Sequence, residues 1–255
     1  MVEDQAQISG PLPALQGLPV LRPERAKLIV LEGIDLSGRT TQVQLLHEWL
    51  LAQRYAVTTT AWRTSPLISN ILTRARTGSP LRPLTYSLLY CADHLDRMQR
   101  VIVPALQRGE IVLADRYIYT AFARDAARGL DLAWIHNLYH FAIPPDIVFY
   151  LHINPEEAVR RRLALQEQPK DVHKDDKGQK QKHNKGQVQQ AAIPAKLPTL
   201  TQETLESFRN FERKMYSQYQ SMQKAFGFSV IEGSQSIDLI QAALRRAVMH
   251  LLLDT

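Results

Sequence analysis

The sequence predicts an α/β fold of three layers, a five-stranded parallel sheet with helices on both faces. Three observations predict it. Short apolar runs alternate with longer segments of helical periodicity along most of the chain. The first run is continuously apolar rather than alternating, as a strand buried on both faces requires. A glycine-bearing turn, Gly33 to Thr41, joins that run to the first helical segment.

The elements follow in order. Leu28 to Glu32 reads as a buried strand, and Thr40 to Leu51 as a helix with Val43, Leu46, Trp49 and Leu50 at helical spacing. Ala56 to Trp62 is β-branched and reads as the second strand. A helix is expected over Pro66 to Thr77, stopping at Gly78. A long amphipathic helix is expected over Leu84 to Arg108, with a kink at Pro104 and Gly109 as its C-cap. Ile111 to Ala114 is the third strand, two helices fill the space to Phe141, and Asp146 to Ile153 is the fourth strand. Pro155 suits a first helical turn, with a helix to about Leu165. Thr201 caps another long helix, Phe228 to Ile231 is the fifth strand, and Ile237 to Leu253 closes the chain.

The chain has 255 residues, 45% hydrophobic, enough for one sizeable core. Residues 1 to 25 read as an irregular extension, and residues 26 to 255 as one domain. The single cysteine, Cys91, allows no internal disulfide and fits a reducing cytoplasm; it reads as a packed helix residue. No stretch reaches the roughly 18 apolar residues of a membrane span. Glu3, Asp4 and four early prolines argue against a secretory signal. Most of the net charge of +6 sits in residues 168 to 198, where seven lysines face three aspartates. That segment is too poor in aromatic and β-branched residues to fold alone and reads as a solvated, flexible insertion at about 167 to 199. It lacks the interleaved aromatics of a base-stacking surface, so nucleic-acid binding ranks last.

The sharpest feature is Gly33-Ile34-Asp35-Leu36-Ser37-Gly38-Arg39-Thr40-Thr41 between a strand and a helix. Two glycines five apart, then a cation, then a hydroxyl residue match the phosphate-binding P-loop. Glycines let backbone amides converge on phosphate oxygens, and the helix N-terminus adds positive potential. Thr40 would present its hydroxyl to Mg²⁺. The fold is then the three-layer P-loop NTPase fold. Arg39 stands where the pattern has lysine; its planar fork attracts phosphate but sits less finely than a slim amine. An ordinary glycine turn is the plainer alternative.

Further motifs narrow the reading. Leu31 to Gln42 resembles the start of thymidylate kinases apart from Leu36 and Arg39, and Asp115-Arg116-Tyr117 resembles that family's Asp-Arg-Tyr motif. Leu89 to His94 looks like the family's base-holding helix, and Asn154-Pro155-Glu156 its entry to the lid. The resemblance implies transfer of the ATP γ-phosphoryl group to dTMP to give dTDP, with Mg²⁺. It implies that Gly33 to Thr41 and Arg161 contact ATP, and that Arg39, Asp115 and Arg116 serve transfer. Asp115 and Thr40 would serve the metal, and Asp35 the sugar hydroxyl. Arg63 and Arg116 would hold the acceptor phosphate, and Tyr90 would stack on the base. His94 occupies the position of an arginine expected to bond the base, and Arg124-Asp125 that of a Tyr-Gln pair near it. The resemblance also implies a possible homodimer.

Elementary chemistry agrees with the phosphate roles. Phosphoryl transfer needs two anions aligned and neutralised, and strand C-termini are where α/β sheets bind ligands. Taken alone, Asp115-Arg116 also fits a surface ion pair. Three readings stay open: a nucleoside monophosphate kinase, a nucleotide-binding chain without turnover, and a P-loop phosphotransferase with another acceptor.

Overall fold

A computed structural model describes residues 17, 20–77, 81–167 and 201–253. The expected extension over 1 to 25 falls mostly outside them, as do Gly78 and the lysine-rich segment 168 to 198.

The described residues form the predicted five-stranded parallel sheet, in the order β2-β3-β1-β4-β5. The strands are β1 (Lys27–Glu32), β2 (Val57–Ala61), β3 (Ile111–Asp115), β4 (Ile147–His152) and β5 (Ser229–Glu232). The helices are α1 (Arg39–Ala52), α2 (Ser69–Thr77), α3 (Pro83–Arg97), α4 (Val103–Gln107), α5 (Ile118–Ala126), α6 (Leu132–Leu138), α7 (Pro155–Glu167), α8 (Gln202–Ala225) and α9 (Ile237–Leu253).

Alternate residues of each central strand feed opposite cores, as the strand's two-residue period demands. Leu28, Val30, Val112, Ala114 and Tyr150 pack with α3, α5 and α8. Ile29, Leu31, Leu113, Phe149 and Leu151 pack with α1 and α9. Both faces are therefore covered, which is why β1 is apolar throughout. Gln42 and Gln241 tie α1 to α9 inside the second core through a 2.7 Å side-chain bond.

Local chemistry sets several boundaries. Thr201 caps α8 by accepting from the Thr204 N–H at 3.2 Å, and Asp131 caps α6 through the Trp134 N–H at 2.7 Å. The expected helix over 84 to 108 is corrected in its middle. A π-helical turn, Met98–Ile102, separates α3 from α4, and the Val103 N–H reaches the Met98 carbonyl. Pro104 has no N–H to give, and the widened turn ahead of it is how the helix accommodates the ring. Cys91 packs in the core as expected, where burial pushes its thiol up to about 12.

The order 2-3-1-4-5 reverses direction between β1 and β3. From β1 the chain crosses to one side, and from β3 to the other. Their C-terminal ends therefore flank the topological switch point, the crevice position where open α/β sheets take ligands.

Candidate active site

The crevice is built from the loop after β1 and the end of β3. Register pairs Leu31 with Asp115, so the two loops leave the sheet side by side. Gly33 has φ 150°, and a Cβ there would meet the Leu151 carbonyl at 2.7 Å and the Ser37 hydroxyl at 2.8 Å. Gly38 has φ 94° and starts α1 with no side-chain cap and no acidic residue in the first turn. The amides of that first turn are left for an anion, with the helix dipole behind them.

Arg39 is 7% exposed and turned into its own loop. One terminal nitrogen donates to the Gly33 carbonyl, to the Ile34 carbonyl at 2.7 Å and to Ser37 Oγ at 3.1 Å. Its Nε donates to Asp115 Oδ1 at 3.2 Å. Asp115 Oδ2 accepts from the Thr40 hydroxyl at 2.6 Å. Thr40, Arg39 and Asp115 therefore meet at one carboxylate. The exposed Thr41 follows on α1.

Arg116 lies on the other wall. It donates to Asp35, to the Gly33 carbonyl at 3.3 Å and to Thr120 Oγ1 at 3.1 Å. Burial opposes its charge, but Asp35, Glu32 and Asp115 together hold it more firmly protonated than usual. Arg116, Arg63 and Leu36 all have positive φ, at 72°, 66° and 63°. Non-glycine residues enter that region only when their surroundings enforce it; Leu36 lies in the loop after β1, Arg63 follows β2 and Arg116 follows β3, while a fourth such residue, Arg54, lies between α1 and β2. Arg63 is placed by Asp93, whose carboxylate accepts the backbone N–H of Arg63 and of Ser65, each at 3.0 Å. Arg161 of α7 reaches the loop from above, donating to the Leu36 carbonyl at 3.0 Å and the Gly233 carbonyl at 2.9 Å.

The Thymidylate kinase family model matches residues 31–197, more than half of the chain. The chain belongs to the thymidylate kinase family. It is 42% identical over 137 residues to "Probable thymidylate kinase 2" of Saccharolobus solfataricus, covering 54% of this chain and 64% of that relative. It is 38% identical over 143 residues to "Probable thymidylate kinase" of Pyrococcus horikoshii, covering 54% and 70%. It is 33% identical over 146 residues to "Thymidylate kinase" of Thermoanaerobacter sp. strain X514, covering 54% and 71%. The aligned part thus spans slightly less than two thirds of the first of these relatives.

In this thymidylate kinase family chain His94 and Tyr90, the positions that the resemblance assigns to the base, are both buried. His94 is fully buried against Tyr117, Tyr139 and Phe141, where burial and the adjacent Arg97 hold it well below the usual histidine range. Tyr90 is 8% exposed and already stacked with Tyr86 and tilted against Trp62. The Arg124 guanidinium lies over the Tyr90 ring, 3.8 Å from its centroid.

Sequence reasoning missed the residues that α8 contributes. Glu212 Oε2 accepts the Asp35 N–H at 3.0 Å, and burial with the neighbouring Asp35 charge pushes its carboxyl up to about 8. Tyr219, seven residues on, donates to Glu32 Oε2 at 2.7 Å. Seven residues are two helical turns, so both side chains stand on one face. Glu32 also accepts the N–H groups of Tyr117 and Thr120 and the Thr120 hydroxyl, joining β1, α5 and α8 at the base of the loop. A polar residue on an otherwise apolar helical face was the available signal, at Glu212 between Phe211 and Met215.

Proposed function

We propose that this chain transfers the γ-phosphoryl group of ATP to dTMP, giving ADP and dTDP. The observation that carries the reading is the convergence of Thr40, Arg39 and Asp115 on one point beside the uncapped N-terminus of α1. Transfer of this kind asks the protein for alignment and charge neutralisation rather than covalent chemistry. The first-turn amides of α1 and Arg39 receive the donor phosphates. Arg161 closes over them once its carbonyl contacts are exchanged. Arg116 and Arg63 receive the acceptor phosphate, and Asp35, held by Arg116, takes the sugar hydroxyl.

Mg²⁺ fits the residues present. A hydroxyl and a carboxylate 2.6 Å apart suit an ion held mainly by substrate phosphates and water. The described residues contain no cluster of three or more acidic, histidine or cysteine ligands, so substrate oxygens must complete the shell. When bound, the ion neutralises charge on the donor phosphates. Thr40 and Asp115 would hold it.

A coupled ADP-release assay with dTMP against UMP, CMP, dUMP and AMP tests the proposal. ADP formation fastest with dTMP is expected. No ADP with any of them overturns it. Nucleotide binding without transfer is the second reading, and one observation favours it: Arg39 spends its donors on its own loop and on Asp115. Among the described residues no helix is long and apolar enough to cross a membrane.

A further inference from the structure

The edge of the sheet opposite the phosphate loop carries a cavity of its own. β1, β2 and β3 start level there, since Ile111 pairs with both Lys27 and Val57. The segments that lead into these strands therefore emerge together, and each brings a cation. Arg25 and Lys27 stand at the start of β1, Arg54 before β2 and Arg108 before β3. Between them lies a cavity of about 600 Å³, the size of a small-molecule pocket. All four cations line it, and Tyr55 and Leu252 add a less polar wall. Glu24 is the single carboxylate among the lining residues.

Helix ends account for part of this charge. Arg54 and Arg108 follow α1 and α4, whose C-terminal carbonyls attract cations. They do not account for the rest. Arg25 comes from the lead-in to β1 and lies against Gly109, where a Cβ would stand 3.0 Å from its Cζ. It donates to the Arg108 carbonyl at 3.4 Å. Gly109 has φ 78°, so glycine serves both the turn and the space that the guanidinium fills. Glu110 takes Arg108 through Nε, at 2.6 Å. Among the described residues the side chains of Lys27 and Arg54 have no hydrogen bond or ion pair. Like charges gathered on a concave surface focus a positive potential, and they repel one another until an anion joins them.

We propose that this cavity binds a polyphosphate chain, free or carried by a nucleotide, with Lys27 and Arg54 donating to its oxygens beside Arg25 and Arg108. Guanidinium forks suit phosphate oxygens, and an ammonium adds a point charge. The six residues of β1 set the cavity about 20 Å from the phosphate loop, so a chain held here leaves the loop free. The inference does not depend on the kinase reading.

The test is calorimetric titration of inorganic tripolyphosphate into four proteins. They are the wild type, the cavity variant Lys27→Gln with Arg54→Gln, a charge-matched control Arg82→Gln with Lys224→Gln, and the loop variant Arg39→Ala with Thr40→Ala. Both control residues are exposed and lie outside the cavity lining. Melting curves check folding, and Arg54→Gln alone, at an exposed position, replaces the pair if the pair fails to fold. The cavity variant is expected to lose at least about thirtyfold in affinity at one site, the control less than about twofold, and the loop variant to keep that site. An unchanged titration of the cavity variant, equal loss in the control, or no binding by the wild type overturns the inference. Parallel titration with ATP identifies the source: tighter binding than tripolyphosphate at this site assigns a nucleotide, and equal or weaker binding a free chain. Cavity binding in a protein that forms no ADP with any nucleoside monophosphate upholds the inference and overturns the kinase proposal. ADP formation without cavity binding does the reverse.

Discussion

Arg39 and Asp115 form a buried ion pair, with Nε 3.2 Å from Oδ1 and side-chain exposures of 8% and 12%. The pair joins residues 76 positions apart and places the loop's cation on the carboxylate that also holds Thr40. It follows from β1–β3 pairing, and it restrains the cation that the proposed transfer brings to phosphate.

Arg39→Lys is therefore expected to raise kcat for ADP formation with dTMP. An amine cannot hold two carbonyls, Ser37 and Asp115 together, so it is released toward the donor phosphate. An increase of about tenfold corresponds to one charge-assisted hydrogen bond. Steady-state kinetics check it; a lower kcat would show that the arginine fork itself serves transfer.

Arg116→Ala should raise KM for dTMP by roughly 10- to 100-fold, the loss of one charged phosphate contact, with KM for ATP nearly unchanged. Arg116 bonds Asp35 and the Gly33 carbonyl, and the proposed function gives it the acceptor phosphate. Equal increases for both substrates would place it on the donor side instead.

Glu212→Gln should flatten the pH dependence of stability. The folded-state carboxyl is pushed up to about 8 from an ordinary 4.5. Between those values the folded chain binds more protons than the unfolded one, so wild-type stability falls as pH rises through the window. Gln keeps an acceptor for the Asp35 N–H. The melting temperature of wild type relative to the variant should drop from pH 5 to pH 8.5; a constant difference would refute the assignment.

Gly33→Ala should destabilise far more than Gly38→Ala. At Gly33 the new Cβ meets backbone oxygen at 2.7 Å, whereas at Gly38 nothing lies within 4 Å. The second change costs about 1 kcal/mol from positive φ alone, and the first adds a backbone displacement of several kcal/mol. Urea unfolding separates them, and equal losses would contradict the packing at Gly33.

The strand–loop–helix unit was legible because its chemistry is local. Gly33 to Thr41 carries its turn, its helix start and its hydroxyl within nine consecutive residues, and α9 matches Ile237 to Leu253 from periodicity alone. The packing around position 94 was not. Position 94 follows a recognisable run, yet side-chain direction on α3 turns His94 into the core and brings Tyr90 under Arg124 from α5.

The sequence by itself determined the strand–loop–helix unit, the order of the elements and the family, because periodicity and short-range turn chemistry act over a few residues. Only the tertiary structure decided who faces the loop. Glu212 reaches Asp35 across 177 positions and Tyr219 reaches Glu32 across 187. Those contacts exist because the sheet order sets β1 between β3 and β4 and packs α8 on the same core face as α5. No local pattern encodes that choice; burial of both sheet faces does.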